Sequence, residues 1–296
     1  MKYCIRYDNT FKYYKDEDVE SIIIDWHDNS SVKQLVDFCN LYSTKKIYVN
    51  FSYEEEKIIN DYIIAIQEAA IDNIGILISS ADYPTIELGN LDYMFSDCPL
   101  CWEELNEWLD LPKVPDAILI NAEFGFSLPE VSKICHSKGV KVKCIPNLAQ
   151  CSTKWTPPIK RFFIRPEDMP LYEGYVDVLE FYEPNDRINT LYEIYNIKKR
   201  WLGKLSDLIS NLDDLKINSR KIISEFAEVR VGCDRRCLKG KACSICENTI
   251  HIAEMLEGSG IKIEPLSLMS ERDADDQVQE TKMDLENFES ETMEEE

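Results

Sequence analysis

Short runs rich in β-branched and aromatic residues recur along the first two thirds of the chain, and segments of helical period separate most of them. The runs that we predict to be strands are 2–7, 20–25, 46–51, 73–79, 117–121, 140–145, 161–165 and 175–181. Several, such as "NIGILIS" at 73–79, are apolar throughout, which is typical of strands covered on both faces. Strands that alternate with helices are parallel and joined by crossovers, so the pattern predicts an α/β fold.

Helix signals lie between these runs. Ser52 and Glu55 form the pattern of a capping box before the apolar period of 56–70. Ser127 is placed to cap a helix over 128–138, and Gly139 is placed to end it. The sequence therefore predicts helices between the strands, as a parallel sheet requires.

The number and spacing of the strands favour a barrel of the (β/α)8 type. Residues 1–184 are few for such a barrel, which usually takes roughly 200 residues or more. The link 8–19 is too short for a full crossover helix, and 146–160 has the character of a loop. We predict a shortened or irregular barrel over 1–184, with an open doubly wound sheet as the alternative.

The sequence pattern changes after Pro184, where the alternation of predicted strands and helices ends. Residues 185–260 have helical period and contain four cysteines, and residues 261–296 form an acidic tail. The last 26 residues carry 12 acids against two basic residues, so we expect them to be disordered. The tail either keeps the protein soluble or docks a basic protein partner. The formal net charge of −22 disfavours general binding of RNA or DNA.

The number of cysteines and the absence of secretory features bear on whether the cysteines form disulfides. There are 11, an odd number, and the sequence has neither a secretory signal pattern nor an apolar run of membrane-spanning length. These features predict a cytosolic protein, bacterial or of a phage-infected cell, in which thiols stay reduced. Clustered cysteines then indicate metal or redox chemistry rather than disulfides.

Four of the cysteines form one cluster, Cys233, Cys237, Cys243 and Cys246. Spacings of three, five and two intervening residues let one short loop supply four thiolates to a tetrahedral zinc ion. An iron–sulfur cluster is the alternative cofactor. The sequence therefore predicts a four-cysteine metal site, with zinc in a structural role.

Basic residues surround this cluster in an acidic protein. They are Arg230, Arg235, Arg236, Lys239 and Lys241. Three roles are open for them: balancing the thiolates, pairing with the acidic tail, or contacting RNA phosphates. Arg235, Arg236 and Lys239 are the residues that we predict for contact with phosphate or with the tail.

Two further candidate sites rest on weaker signals. Cys98 and Cys101 form a Cys-x-x-Cys pair at a predicted helix start, which suits a redox dithiol, part of a metal site completed by distant residues, or local packing. Polar residues also follow the predicted strands, and in a barrel the carboxyl ends of the strands form the ligand-binding face. The predicted rim residues are Asp25, His27, Asn50, Asn121, Glu123, Asn147, Arg165 and Glu180.

The segment "FFIRPEDMPLYEGYVDVLEFY" resembles the prokaryotic collagenase-like peptidase family. The matching residues are Pro166, Asp168, Met169, Val176 and Asp177. The resemblance covers about residues 45–182 and implies a barrel-like fold. Members of that family include proteases and proteins that assist hydroxylation of tRNA or quinones, and several carry a four-cysteine iron–sulfur cluster.

The resemblance does not extend to catalytic residues. The family's cysteine-containing signature is not reproduced in "AEFGFSLPEV", the nearest stretch here. The whole chain also looks like proteins encoded by tailed bacteriophages, which implies no activity. We therefore expect a non-catalytic binding or accessory protein with structural zinc. The alternative is an iron–sulfur enzyme, or a redox accessory protein, that acts on RNA or a small polar substrate.

Overall fold

Eight parallel strands follow one another in the computed structural model, which describes residues 1–26, 31–51, 56–120, 127–149, 163–182, 187–198, 201–210, 218–219, 222 and 225–233. The strands are β1 (Lys2–Arg6), β2 (Val19–Asp25), β3 (Lys46–Asn50), β4 (Ile74–Ile78), β5 (Asp92–Phe95), β6 (Ala117–Leu119), β7 (Lys141–Cys144) and β8 (Val178–Glu180). Their interiors are mostly apolar and buried, as expected for strands covered on both faces.

The strands form a nearly closed barrel. Their order is β5-β4-β3-β2-β1-β8-β7-β6, so the first strand pairs with the last. The two ends of this series approach each other where the Asp116 backbone N–H donates to the Tyr93 carbonyl at 2.8 Å. The prediction of a (β/α)8-type barrel is confirmed, and the alternative of an open doubly wound sheet is wrong.

Helices follow most of the strands. They are α1 (Val32–Leu41), α2 (Glu56–Glu68), α3 (Trp102–Leu109), α4 (Leu128–Ser137), α5 (Met169–Tyr172), α6 (Ile188–Asn196) and α7 (Glu225–Val231). Ser31 and Gln34 form a capping box at the start of α1. Gly139 follows α4 with φ of +74°, a conformation that stops a helix and suits glycine. No helix within the described ranges has both the length and the apolar composition needed to cross a membrane.

One predicted strand is wrong and one strand was missed. Residues 163–165, the described part of the predicted strand 161–165, form no strand. The Ile164 N–H donates to the Pro146 carbonyl at 3.0 Å, and the Ile164 carbonyl accepts from the Tyr195 hydroxyl at 2.7 Å. The backbone of this apolar segment is therefore bonded outside the sheet. The strand that completes the set of eight is β5, a four-residue strand that starts with Asp92 and was not predicted.

The core has two parts. A small cluster fills the barrel interior and comprises Cys4, Ile23, Tyr48, Leu77, Met94, Ala117 and Val178. A larger cluster lies outside the strands and includes buried residues of the C-terminal segment such as Leu205, Ile209 and Val231. The described part of the C-terminal segment thus packs on the outside of the barrel.

Candidate functional site

Polar side chains line the inner face of the barrel at its C-terminal mouth. Side chains alternate along a strand, so the residues that share a face with the interior cluster point inward. On five neighbouring strands the last inward residue is polar or charged. These residues, which we call the rim chain, are Asn50 of β3, Asp25 of β2, Arg6 of β1, Glu180 of β8 and Lys143 of β7.

Contacts link the rim chain from one end to the other. The Asn50 amide and the Arg6 guanidinium both donate to Asp25 Oδ1, at 2.5 Å and 2.6 Å. Arg6 Nη2 also lies 3.7 Å from Glu180 Oε1. The Lys143 ammonium donates to Glu180 Oε2 at 2.8 Å. Two carboxylates and two cations therefore alternate across the mouth, and their charges cancel.

The two ends of the rim chain differ in their access to solvent. The Lys143 and Glu180 side chains are 2% and 11% exposed, whereas those of Arg6 and Asp25 are 44% and 38% exposed. A buried ion pair is fixed, because separating it leaves a charge without compensation in a medium of low dielectric constant. An exposed pair contributes little and exchanges partners readily. A ligand at this mouth would therefore meet Arg6 and Asp25, with Lys143 and Glu180 as a rigid base.

The nucleophilic groups inside this mouth are held in their protonated forms. Burial is the largest single influence and lowers the pKa of Lys143, but the Glu180 carboxylate and Cys4 together raise it, so the net direction is upward and the ammonium is retained. Burial raises the pKa of the Cys4 thiol to about 12, with a further increase from Glu180. An ammonium and a neutral thiol are poor nucleophiles. This arrangement suits binding better than covalent catalysis.

Two predicted rim residues serve the scaffold. The Asn147 amide donates to the Tyr182 carbonyl at 2.6 Å and its oxygen accepts from the Tyr182 N–H at 2.9 Å, so it fixes the chain after β8. Arg165 makes a two-pronged ion pair with Asp168, at 2.6 Å and 2.7 Å, and is buried.

Arg165 also ties the C-terminal segment to the barrel. Its Nη1 donates to the carbonyls of Ser219 and Ile222 at 2.9 Å and 3.1 Å. The guanidinium N–H groups of Arg165 are thus taken up by the Asp168 carboxylate and by two backbone carbonyls. This leaves Arg165 unsuited to ligand binding. The remaining predicted rim residues, His27, Asn121 and Glu123, lie outside the described residues.

The rim chain contains two residues that sequence reasoning missed, Arg6 and Lys143. Both stand inside apolar strands, "KYCIR" and "KVKC", at positions of the inward period. A charged residue on the inward face of a buried strand must be paired with an opposite charge. The alternation of inward and outward side chains along these two strands would therefore have identified both residues.

The predicted metal site is described only at its first residue. Cys233 is a free, half-buried cysteine two positions beyond α7, and its N–H donates to the Arg230 carbonyl at 3.2 Å. Cys237, Cys243 and Cys246 lie outside the described residues, as do Arg235, Arg236, Lys239 and Lys241. Within the ranges that the structure describes, no group of three or more metal-binding side chains is found.

Arg230 is not part of an exposed basic surface, which corrects its predicted grouping with the other basic residues. It is 3% exposed, and its guanidinium lies 4.3 Å from the centroid of the Phe163 ring. This cation–π contact packs α7 against the segment after β7. The reason is the amphipathic period of α7, which turns Arg230 toward the core together with Ala227.

The Cys-x-x-Cys pair lies on the chain between β5 and α3. Cys98 is half-buried, and Cys101 is the exposed N-cap residue of α3 and makes no capping hydrogen bond. The predicted helix start is therefore confirmed, and no disulfide joins Cys98 to Cys101. Their position does not bring them into the rim chain.

Residues that carry the family resemblance have local structural contacts. Asp177 Oδ2 accepts from the Val142 N–H at 2.8 Å and lies 2.7 Å from His136 Nε2, on the outside of the barrel. Comparison with protein-family models finds no matching family, and comparison with curated proteins finds no matching protein. The resemblances to collagenase-like peptidases and to phage proteins stay predictions.

Proposed function

We propose that this protein is a non-catalytic binding protein whose barrel holds a small zwitterion, such as a free amino acid, at its C-terminal mouth. The observation that carries the proposal is the accessible pair at the outer end of the rim chain. Arg6 and Asp25 lie side by side at 2.6 Å, and each is more than a third exposed. A ligand with a carboxylate and an ammonium group matches both charges at once.

Exchange of this pair for a ligand costs little. Exposed ion pairs contribute about 1 kcal/mol or less, so the side chains separate easily when each gains a new partner. Glu180 and Asn50 then hold Arg6 and Asp25 near their positions through the remaining contacts of the rim chain. A binding role also agrees with the protonated states of Lys143 and Cys4, which disfavour nucleophilic attack.

The experiment is isothermal titration calorimetry with free amino acids and two kinds of derivative. N-acetyl amino acids lack the cation, and amino acid methyl esters lack the carboxylate. We expect at least one free amino acid to bind and both of its derivatives to bind at least tenfold more weakly. Equal binding of the derivatives, or no binding by any free amino acid, would contradict the proposal.

The chain offers a matched pair of variants for this titration. Arg6→Ala removes the rim cation, whereas Lys2→Ala removes an exposed, ion-paired cation from the other end of β1. We expect Arg6→Ala to weaken binding at least tenfold and Lys2→Ala to leave it unchanged. Loss of binding in both variants would indicate a general effect of charge rather than a site at the rim.

The proposal includes one structural zinc ion held by Cys233, Cys237, Cys243 and Cys246. Its support is the spacing of the four thiols and the place of Cys233 just beyond α7, a helix whose Arg230 packs on Phe163. An ion there would tie the following chain to the barrel. We expect one zinc per chain by metal analysis, and its loss in Cys237→Ser but not in Cys101→Ser.

Metal analysis also distinguishes structural zinc from the alternative, an iron–sulfur cluster. Iron with broad visible absorption in anaerobically purified protein would support an iron–sulfur enzyme, or a redox accessory protein, that acts on RNA or a small polar substrate. RNA binding would fall steeply with salt and weaken in Arg235→Ala/Arg236→Ala. Zinc without visible absorption and no RNA affinity at low salt would support the binding protein.

Two further parts of the proposal concern the surroundings of the protein. No disulfide joins any two of the seven described cysteines, which agrees with a cytosolic, reducing compartment. The acidic tail, residues 261–296, is proposed to contact a basic protein partner. We expect deletion of 271–296 to leave the unfolding midpoint nearly unchanged, and a large loss of stability would contradict this role.

A further inference from the structure

The N-terminal mouth of the barrel contains a second candidate site. A cavity of about 570 Å³ opens there, a size that suits a small organic ligand. Its walls come from the first residues of six strands, and its lining includes Lys46, Asp92 and Lys141. This cavity lies at the opposite end of the barrel from the rim chain, and nothing in the proposed function uses it.

Small interior residues explain why the cavity exists. Barrel interiors are usually filled by layers of branched side chains. Here Ala117 and Gly75 occupy inward positions on β6 and β4. A Cβ atom added to Gly75 would lie 2.7 Å from Cε1 of Tyr48, so the Tyr48 ring lies directly over the glycine. The ring therefore takes up the space above the glycine, and Ala117, the other small inward residue, lines the cavity.

The floor of the cavity is apolar. Tyr48, Met94, Ala117 and Val178 line it and belong to the interior cluster of the barrel. Each of these side chains is 5% exposed or less. The body of a ligand that enters this mouth therefore meets a hydrocarbon and aromatic surface.

The charges at the mouth are unequal. Three carboxylates, Glu20, Asp92 and Asp116, line the cavity with two lysines, Lys46 and Lys141. Lys141 pairs with Glu20, and Lys46 pairs with Asp92. The lining itself thus has one carboxylate more than it has cations, and Lys113, outside the lining, adds a second cation 3.6 Å from Asp92.

The surplus carboxylate is Asp116. It accepts a hydrogen bond from the Tyr48 hydroxyl, and among the described residues no lysine or arginine forms an ion pair with it. Burial raises the pKa of Asp116 and the nearby Asp92 carboxylate raises it further, whereas the bond from Tyr48 and the charges of Lys46 and Lys113 lower it, with a net upward direction. A partly buried carboxylate of this kind is stabilised by a cation placed beside it.

From this geometry we propose that the N-terminal mouth binds a small organic cation, a primary amine with a short apolar chain. The ammonium group lies against Asp116, the one lining carboxylate that has no ion-pair partner among the described residues. The apolar chain lies on Met94, Ala117 and Val178. An organic cation fits better than a metal ion, because the described residues hold no group of three metal-binding side chains.

The test uses n-butylammonium as the probe and two molecules of the same shape as controls. Butyrate reverses the charge, and n-butanol removes it. Protein labelled with ¹³C in its methionine methyl groups reports binding through the Met94 signal, which Met94→Leu identifies. We expect n-butylammonium to shift this signal with saturation, and the two controls to bind at least tenfold more weakly.

Variants separate the site from a general effect of charge. Asp116→Asn removes the charge and keeps an acceptor for Tyr48, whereas Asp110→Asn removes a carboxylate from the exposed surface. We expect Asp116→Asn to bind n-butylammonium at least tenfold more weakly and Asp110→Asn to bind it with unchanged affinity. Ala117→Leu should fill the cavity and abolish binding. Equal binding of butanol, or full binding by Asp116→Asn, overturns the proposal.

Discussion

The two mouths of the barrel are built from the same strands but arrange their charges differently. At the C-terminal mouth, the rim chain joins five strands through contacts from Lys143 to Asn50. At the N-terminal mouth, separate ion pairs stand around the edge of a cavity. Lys143 and Lys141 lie two residues apart on β7, yet their side chains are 2% and 47% exposed. Position along one strand therefore decides whether the same residue type anchors the fold or borders an open site.

The largest expected effect comes from breaking the buried pair. Lys143→Met leaves the Glu180 carboxylate buried without its closest cation, which costs about 3–5 kcal/mol of unfolding free energy. Lys141→Met is the matched control on the same strand, and we expect a loss of about 1 kcal/mol or less there. Urea unfolding of the two variants measures the difference. Equal losses would show that the two mouths do not differ as described.

A double variant sharpens this result. In Lys143→Met/Glu180→Leu, neither charge remains to be buried, and replacing a buried pair by apolar residues is often neutral. We expect the double variant to recover most of the stability lost in Lys143→Met. A double variant no more stable than the single one would show that packing, rather than the unpaired carboxylate, causes the loss.

Alkaline pH probes the same mouth through Cys4. The pKa of Cys4 rises from 9.0 to about 12 on folding, mainly by burial, so the folded protein holds a proton that the unfolded chain releases. The stability from this group is complete below about pH 9 and is lost as pH rises toward 12. One such group steepens the decline by about 1.4 kcal/mol per pH unit.

Cys4→Ala should flatten this decline relative to the unchanged protein. Unfolding free energies measured from pH 8 to pH 11 give the slope for each. Cys101→Ala, which removes an exposed thiol, is the control and should keep the original slope. An unchanged slope in Cys4→Ala would show that Cys4 is not buried beneath the rim chain.

The barrel could be predicted from the sequence, whereas much of its chemistry could not. Seven of the eight strands stand where apolar, β-branched runs predict them, because burial on both faces leaves a strong local signal. β5 is short and begins with Asp92, which turns toward Lys46 at the N-terminal mouth. Its signal was weaker than that of 161–165, in which the described residue Ile164 bonds to the Pro146 carbonyl and the Tyr195 hydroxyl rather than to a strand.

The rim shows where local reasoning fails. Asp25, Asn50 and Glu180 were predicted from their places at strand ends, and the structure brings them together. Arg165 and Asn147 end the same kind of segment but bond to backbone groups far along the chain, at Ser219 and Tyr182. Which polar group meets a distant carbonyl is decided by tertiary packing, and no local pattern records it.

A smaller effect is expected at the N-terminal mouth. In Gly75→Ala the new methyl group displaces the Tyr48 ring and crowds the Asp92 carbonyl at 3.0 Å, which costs about 1–3 kcal/mol. Gly232→Ala, where an added Cβ meets no atom of the described residues within 4 Å, should change stability much less. Thermal unfolding compares the two. A neutral Gly75→Ala would show that the glycine does not determine how Tyr48 lies in the barrel.

The smallest expected effect on stability is that of Arg6→Ala. Its ion pair with Asp25 is exposed, so we expect a loss of about 1 kcal/mol or less, even though the variant should lose zwitterion binding. A loss as large as that of Lys143→Met would show that Arg6 serves the scaffold. The urea unfolding experiment that measures Lys143→Met also measures this variant.

The most direct test of the account is one NMR titration read at both mouths. The Asn50 side-chain amide reports the C-terminal mouth, and the Met94 methyl group reports the N-terminal mouth. We predict that the amino acid identified by calorimetry shifts the Asn50 signal alone, and that n-butylammonium shifts the Met94 signal alone. If both molecules shift the same signal, or neither shifts any, the division of the barrel into two different binding mouths is contradicted.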